Sequence, residues 1–186
     1  MTERERYIAA LAKKKGWSKE QAENFRKYGD AVAFTESNND PYAVQIGGGP
    51  GRGKYQYEVG DSVKTALNRL KSFNRAMGIE DNFTKEDKKI LSSENPDFSK
   101  LSEDAQDAVF VADTWGKAPT DSIASGEITP EDTWVKYHWA GNADGSKPED
   151  EVQRRGHFRE AQEYRRSQEE AQMQDPAVLA QILRSQ

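Results

Sequence analysis

A glycine-rich stretch between two helical regions is the feature that most restricts how this chain folds. Residues 38–60 read NNDPYAVQIGGGPGRGKYQYEVG, and apolar residues on either side recur at the three- and four-residue spacing of helices. Apolar and polar residues alternate in YAVQI and KYQYEV, which predicts two short strands around a glycine-rich loop. The sequence therefore predicts a mainly α (α+β) fold in which a small β-hairpin lobe interrupts the helices.

Cap residues divide the rest of the chain into helices. Gly16 separates the first two helices, and Ser18 with Gln21 has the spacing of a capping box. The segment AVAFTES fits a buried helix turn or a strand. Further helix starts are predicted at Asp61–Ser62, Thr84, Ser102 and Thr129.

The C-terminal part of the chain is the most highly charged. The helix that begins at Thr129 is expected to run through TWVKYHWA and to stop at Gly141, and residues 148–172 predict a further helix. We expect one domain over residues 1–165, followed by a helical or flexible tail over residues 166–186.

Composition limits the chemistry. Hydrophobic residues make up 34% of the chain and charged residues 32%, which predicts a small core with solvated helices. The formal net charge of −5 argues against a protein that binds nucleic acid through a broad basic face. With no cysteine and two histidines, His138 and His157, we expect no metal site and no cofactor. The charged start MTERERYIAALAKKKGW predicts neither a signal peptide nor a membrane span.

A phosphate-binding loop is one alternative for the glycine-rich stretch. Residues 48–54 satisfy the pattern GxxxxGK and follow the strand predicted in YAVQI. However, Tyr55 replaces the small hydroxyl residue that holds magnesium in such loops. Residues 56–59 predict a strand, so no helix N-terminus points at a phosphate. A glycine hinge is the simpler interpretation.

Glu36 is the candidate catalytic residue. It follows the apolar run AVAF, at the junction with the glycine-rich stretch. A carboxyl group partly removed from water there keeps its proton near neutral pH, because burial disfavours the charged form. Cleavage of a glycosidic bond needs such a group, since the leaving oxygen must receive a proton.

The surroundings of Glu36 resemble the lytic transglycosylase family of the lysozyme-like superfamily. That family carries Glu-Ser, a proline five residues after the Glu, an alanine two further on, a G-x-x-Q element and a later Tyr-Asn-Ala-Gly-like stretch. The corresponding residues here are Glu36-Ser37, Pro41, Ala43, Gly53 to Gln56, and Tyr137-His138-Trp139-Ala140-Gly141. The chain departs from the family at Asn39, where an aromatic residue is usual, and it lacks the Asn of the last element.

The resemblance implies a lysozyme-like helical domain that cleaves the β-1,4 MurNAc–GlcNAc bond of peptidoglycan. Glu36 would protonate the glycosidic oxygen and then act as base on the C6 hydroxyl of the sugar, which closes a 1,6-anhydro ring. Ser37 would orient the carboxylate, and Gln56 would bind an N-acetyl group or a sugar hydroxyl. The remaining substrate contacts are expected from Glu58, Tyr137, His138 and Trp139. Tyr137 and His138 would also hydrogen-bond Glu36. Trp139 would stack on a sugar ring.

With no predicted signal peptide, no cysteine and a glycine-rich lobe, the chain resembles the bacteriophage members of that family, which include enzymes carried in the virion. This similarity implies synthesis in the host cytoplasm, action on the host cell wall, and other virion proteins as partners. Two alternatives stay open. A hydrolytic lysozyme on the same fold would use a second carboxylate, with Glu58 and Asp61 as candidates. An inactive phage assembly protein is favoured by the charged helix over residues 148–172 and by the segment AVLAQIL.

Overall fold

The computed structural model describes residues 1–138 and 148–173, and these residues are mainly helical. This confirms the prediction of a mainly α fold with a small β element. The strands β1 (Gly51–Arg52) and β2 (Tyr57–Glu58) form one antiparallel hairpin. The α-helices of the described residues are α1 (Glu3–Lys15), α2 (Lys19–Ser37), α3 (Asp61–Met77), α4 (Lys85–Leu91), α5 (Glu103–Lys117), α6 (Thr120–Ser125), α7 (Pro130–Thr133) and α8 (Pro148–Met173). Short 3₁₀ turns at Ile46–Gly48 and Phe98–Lys100 and a π-helix at Trp134–His138 complete the elements.

Local cap chemistry places most helix ends where the sequence predicts them. Gly16 ends α1 in the left-handed conformation (φ 71°), and its N–H bonds the carbonyl of Ala12. Ser18 and Gln21 form the predicted capping box of α2, which also contains the segment AVAFTES. Thr84, Ser102 and Thr129 each cap a helix through a side-chain oxygen. The side-chain cap predicted at Asp61–Ser62 is wrong, because α3 begins at Asp61 after an uncapped Gly60.

Residues 41–60, called the β lobe below, are less regular than the alternating pattern predicts. Gly51 pairs with Glu58 and Arg52 with Tyr57, while YAVQI contributes a single bridge from Val44 to Arg52. The strand predicted over KYQYEV is shortened to β2. The cause is a turn before β2, in which Gly53 (φ 75°) and Gln56 (φ 49°) both take the left-handed conformation.

The core surrounds α5, in which every side chain from Ala105 to Thr114 is buried. The β lobe is fixed to this core by Tyr55, whose ring stacks on Phe110 with ring centroids 4.0 Å apart. Tyr55 and Tyr57 are both buried and belong to the hydrophobic core, whereas Tyr42 of the lobe is exposed. The lobe therefore packs against α5 through these two buried tyrosines.

Lys54 is a structural anchor of the β lobe. Its Nζ lies 2.6 Å from Oε1 of Glu103 and 3.0 Å from Oδ1 of Asp107, and its side chain is 6% exposed. The lysine of the GxxxxGK pattern is therefore paired with carboxylates, and a strand follows it instead of a helix. The structure does not support a phosphate-binding loop here.

The helix that begins at Thr129 changes its hydrogen-bonding pattern after one turn. It continues as a π-helix from Trp134 to His138, where the sequence predicts an uninterrupted α-helix; its predicted end at Gly141 lies outside the described residues. A π-helical turn is often found at a functional site, because it shifts side chains relative to a regular α-helix.

Helix α8 confirms the helix predicted over residues 148–172 and packs on the segment that carries Trp134. Phe158 contacts the ring of Trp134 (5.5 Å between centroids), and Arg155 pairs with Glu131 and Asp132. The helix continues past residue 165, where the predicted domain ends, and the segment AVLAQIL lies outside the described residues. Over residues 1–138 and 148–173, no helix combines the length and apolar character that crossing a bilayer requires.

Candidate active site

A large cleft lies along one side of the helical body, with a volume of about 1670 Å³. Its walls come from the end of α2, the β lobe, one face of α3, the end of α5, the π-helix and α8. Most residues that the sequence singles out line this cleft, so distant parts of the chain meet there.

Glu36 lies in the last turn of α2, which ends at Asn38 in the left-handed conformation. Its side chain is 13% exposed and lines the cleft. The indole Nε1 of Trp134 donates a hydrogen bond of 2.7 Å to Oε1 of Glu36. The carboxyl group is therefore largely removed from water and held in place from the π-helix.

Burial gives Glu36 the protonation behaviour that the sequence predicts. Removal from water raises the pKa of Glu36 to about 7, although the hydrogen bond from Trp134 and the charge of Lys117 act in the opposite direction. A carboxyl group with a pKa near neutrality is present in both forms around pH 7. Such a group can give up a proton in one step and take one back in the next.

His138 is neutral and links the π-helix to the β lobe. Burial, together with the charge of Lys117, lowers the pKa of His138 to about 3. Its Nε2 lies 3.1 Å from the carbonyl oxygen of Tyr55, and because a carbonyl only accepts, Nε2 must carry the ring hydrogen. The same nitrogen is 3.5 Å from Oε1 of Glu36. A neutral His138 forms no ion pair with Glu36, and its principal hydrogen bond goes to the lobe.

Ser37 and Gln56 bond the backbone of the β lobe. The hydroxyl of Ser37 donates to the carbonyls of Lys54 (2.8 Å) and Ala33 (3.2 Å), so it ties α2 to the lobe. The orienting bond to Glu36, which the resemblance implies for Ser37, comes from Trp134 instead. Gln56 lines the cleft, and its Nε2 donates to the carbonyl of Gly53 at 2.9 Å.

The other predicted contacts lie at the rim of the cleft. Glu58 is exposed on β2, Tyr137 is half-buried on the π-helix, and Asp61 is exposed at the start of α3; all three line the cleft. Trp139 lies outside the described residues. The structure thus brings Glu36, Ser37, Gln56, Glu58, Tyr137 and His138 around one groove.

Trp134, Asp113 and Lys117 also line the cleft and are not among the site residues that the sequence predicts. Trp134 precedes His138 by four residues, a spacing that places both on one face of a helix, so their proximity was readable in principle. Asp113 interrupts the apolar run AVFVA, and a buried acid needs a partner. Lys117, four residues later, pairs with it at 2.6 Å.

Comparison of the chain with protein-family models, with curated proteins and with solved structures finds no match. The interpretation of the cleft therefore depends on its own geometry and on the sequence pattern around Glu36. That geometry is a buried carboxyl group with a pKa of about 7 that lines a large cleft.

Proposed function

We propose that this protein is a peptidoglycan lytic transglycosylase with a lysozyme-like fold, which cleaves the β-1,4 bond between MurNAc and GlcNAc. The observation that carries this proposal is the buried carboxyl of Glu36, with a pKa of about 7, on the wall of an extended cleft. The Glu-Ser, G-x-x-Q and aromatic-Ala-Gly pattern around the site supports the same family.

The proposed reaction uses one carboxyl group twice. Protonated Glu36 gives its proton to the glycosidic oxygen, and the bond from that oxygen to C1 of MurNAc breaks. The resulting carboxylate then takes the proton of the C6 hydroxyl while O6 forms a bond to C1, which closes the 1,6-anhydro ring and regenerates protonated Glu36. The indole N–H of Trp134 stabilises the carboxylate between the two steps.

The surroundings of Glu36 favour this single-carboxyl route. A carboxylate close to Glu36 would raise its pKa by repulsion. Among the described residues, the side chains that shift the Glu36 pKa are Trp134 and Lys117, and both lower it. Burial alone accounts for the upward shift.

A hydrolytic lysozyme is the second candidate, because Glu58 and Asp61 line the same cleft. A second carboxylate at about 5–5.5 Å from the acid would serve a retaining hydrolase, and one at about 6.5–9.5 Å an inverting hydrolase. Glu58→Gln and Asp61→Asn test this role, since a hydrolase loses its second group in one of them.

We also propose that a phage particle delivers this protein to the cell wall. The net charge of −5 gives the protein no overall attraction to an anionic cell wall, so binding depends on local contacts or on transport by a larger assembly. Val152 and Tyr164 are exposed apolar residues of α8, a feature that also fits an inactive assembly protein.

Product analysis separates these candidates. Purified peptidoglycan is digested with the protein, and the released fragments are identified by mass spectrometry. We expect 1,6-anhydro-MurNAc ends. Reducing MurNAc ends would identify a hydrolase. Intact glycan strands after prolonged digestion would instead support an inactive assembly protein.

A further inference from the structure

A buried acid paired with two cations lines the same cleft as Glu36, and one of the cations, Lys117, acts on Glu36 through its charge. Asp113 of α5 has a side chain that is 2% exposed, and its Oδ1 lies 2.6 Å from Nη1 of Arg69. Its Oδ2 lies 2.6 Å from Nζ of Lys117 and accepts a hydrogen bond of 2.9 Å from the hydroxyl of Tyr57. Two positive groups on one carboxylate leave a local excess of one positive charge.

Both cations reach the cleft. The side chain of Arg69 is 33% exposed and that of Lys117 is 16% exposed, and both line the groove that contains Glu36. A guanidinium has five N–H donors and an ammonium has three, so each has donors beyond the one directed at Asp113. These donors are available to an anionic group that enters the cleft.

The packing holds this pair in place before any ligand binds. A Cβ atom on Gly116 would lie 2.5 Å from Cδ of Arg69, so the glycine makes room for the Arg69 chain to cross α5. Nζ of Lys117 lies 5.9 Å from the ring centre of Tyr57. Burial alone would raise the pKa of Asp113, but Lys117, Arg69 and Tyr57 hold it below its usual value, so the acid stays charged and keeps both cations near it.

The cleft differs in charge from the whole protein. The chain carries a net charge of −5, and its surface is acidic on average. Among the described residues that line the cleft are the basic Arg69, Lys117 and Lys136 and the acidic Glu36, Glu58, Asp61 and Asp113. Because Arg69 and Lys117 share one carboxylate, this part of the cleft suits an anionic group.

We infer that Arg69 and Lys117 form a subsite that binds a carboxylate carried by the glycan strand at Glu36. The inference rests on the proposed function, because it names the group of the substrate that the cleft recognises. Peptidoglycan offers that carboxylate from two sources: the peptide stem, or the lactyl group of MurNAc once the stem has been removed. Arginine is suited to this role, since its planar fork binds a carboxylate through paired N–H donors.

Binding to three oligosaccharides tests the subsite. Calorimetry is done with a Glu36→Gln background on glycan strands with peptide stems, on the same strands after amidase has removed the stems, and on chitin oligosaccharides without carboxylates. We expect Arg69→Gln to weaken binding of a carboxylated strand about 10-fold to 100-fold. Binding of chitin should not change, and the strand that loses affinity identifies the source of the carboxylate.

Arg75→Gln is the matched control, because Arg75 is an exposed arginine on the same helix α3 and does not line the cleft. It should leave all three affinities unchanged. Equal losses on chitin and on carboxylated strands, no loss on any strand, or no binding of any strand would overturn the subsite.

Salt dependence gives a second measurement that needs no change at Arg69. Raising the salt concentration from about 0.05 M to about 0.5 M should weaken the binding of carboxylated strands, because salt screens charge–charge attraction. The affinity for chitin oligosaccharides should not change. Equal salt dependence of both would also overturn the subsite. Failure of the proposed function is detected by a different measurement, because the parent protein would then not cleave the glycan strands.

Discussion

The indole Nε1 of Trp134 lies 2.7 Å from Oε1 of Glu36, and it stabilises the charged form of a carboxyl group whose protonated form is favoured by burial. Burial raises the pKa of Glu36 to about 7, while the hydrogen bond from Trp134 and the charge of Lys117 act in the opposite direction. The π-helix that carries Trp134 also carries His138, so one short segment positions two neighbours of Glu36.

Replacing Trp134 by Phe should move the pH dependence of activity. The ring stays in the site but the N–H donor is lost, so the charged form of Glu36 is less stable and its pKa rises. A hydrogen bond to a charged group is worth about 1.5–3 kcal/mol, which corresponds to an increase of about one to two pH units. Because the proposed reaction needs protonated Glu36, the alkaline limb of kcat/KM should shift upward by that amount.

Trp115→Phe is the control for this shift. Trp115 is half-buried, packs edge-on against Phe73 in the helical core and does not line the cleft. Its replacement should leave the pH profile in place. An unchanged or downward-shifted profile in Trp134→Phe would show that the indole does not act on Glu36.

Glu36→Gln should make the protein more stable at alkaline pH. The folded-state pKa of about 7 lies above the reference value of 4.5, so the native state binds the proton more tightly than the unfolded state. Stability is then fully present below pH 4.5 and is lost as the pH rises through 7, at a total cost of about 3 kcal/mol. Glutamine avoids this cost because it does not ionise.

Urea unfolding of the parent and of Glu36→Gln at pH 4 and pH 8 measures this difference. The stability advantage of the glutamine variant should grow between the two values by about 3 kcal/mol. A constant difference would mean that Glu36 titrates at an ordinary pKa, and the proposed acid would lose its physical basis.

Phe158→Ala should loosen α8 from the active site. Phe158 is 5% exposed and packs on the ring of Trp134, so its truncation should lower the free energy of unfolding by about 3–5 kcal/mol. Activity should fall as well, because Trp134 loses the side chain that supports it. Val152→Ala on the same helix, where the residue is 72% exposed, should change stability by less than about 0.5 kcal/mol. Equal effects of the two changes would show that α8 does not dock through Phe158.

The helices were predictable because their ends depend on neighbouring residues. The left-handed glycine at Gly16 and the caps at Thr84 and Thr129 each satisfy backbone groups within four residues, so the sequence alone shows them. The burial of Glu36 was predictable for a similar reason, because Glu36 directly follows the apolar run AVAF.

The contacts that tune Glu36 could not be predicted in the same way. Trp134 lies 98 residues from Glu36, and Arg69 lies 44 residues from Asp113. Such contacts depend on how the helices pack, which the spacing of one segment does not reveal. The β lobe differs from the two strands that its alternating residues predict, because Gly53 and Gln56 take the left-handed conformation and shorten the second strand. Alternation of apolar and polar residues does not reveal these backbone conformations.

Cleavage of purified peptidoglycan by the parent, Glu36→Gln and Glu58→Gln is the most direct test of the central claim that Glu36 is the single catalytic carboxyl. Loss of a general acid should lower the rate by about 10²–10⁴-fold in Glu36→Gln, while Glu58→Gln keeps most of its activity. Unfolding curves confirm that both variants are folded. Cleavage by Glu36→Gln at the rate of the parent, or equal inactivation of Glu58→Gln, would contradict the account.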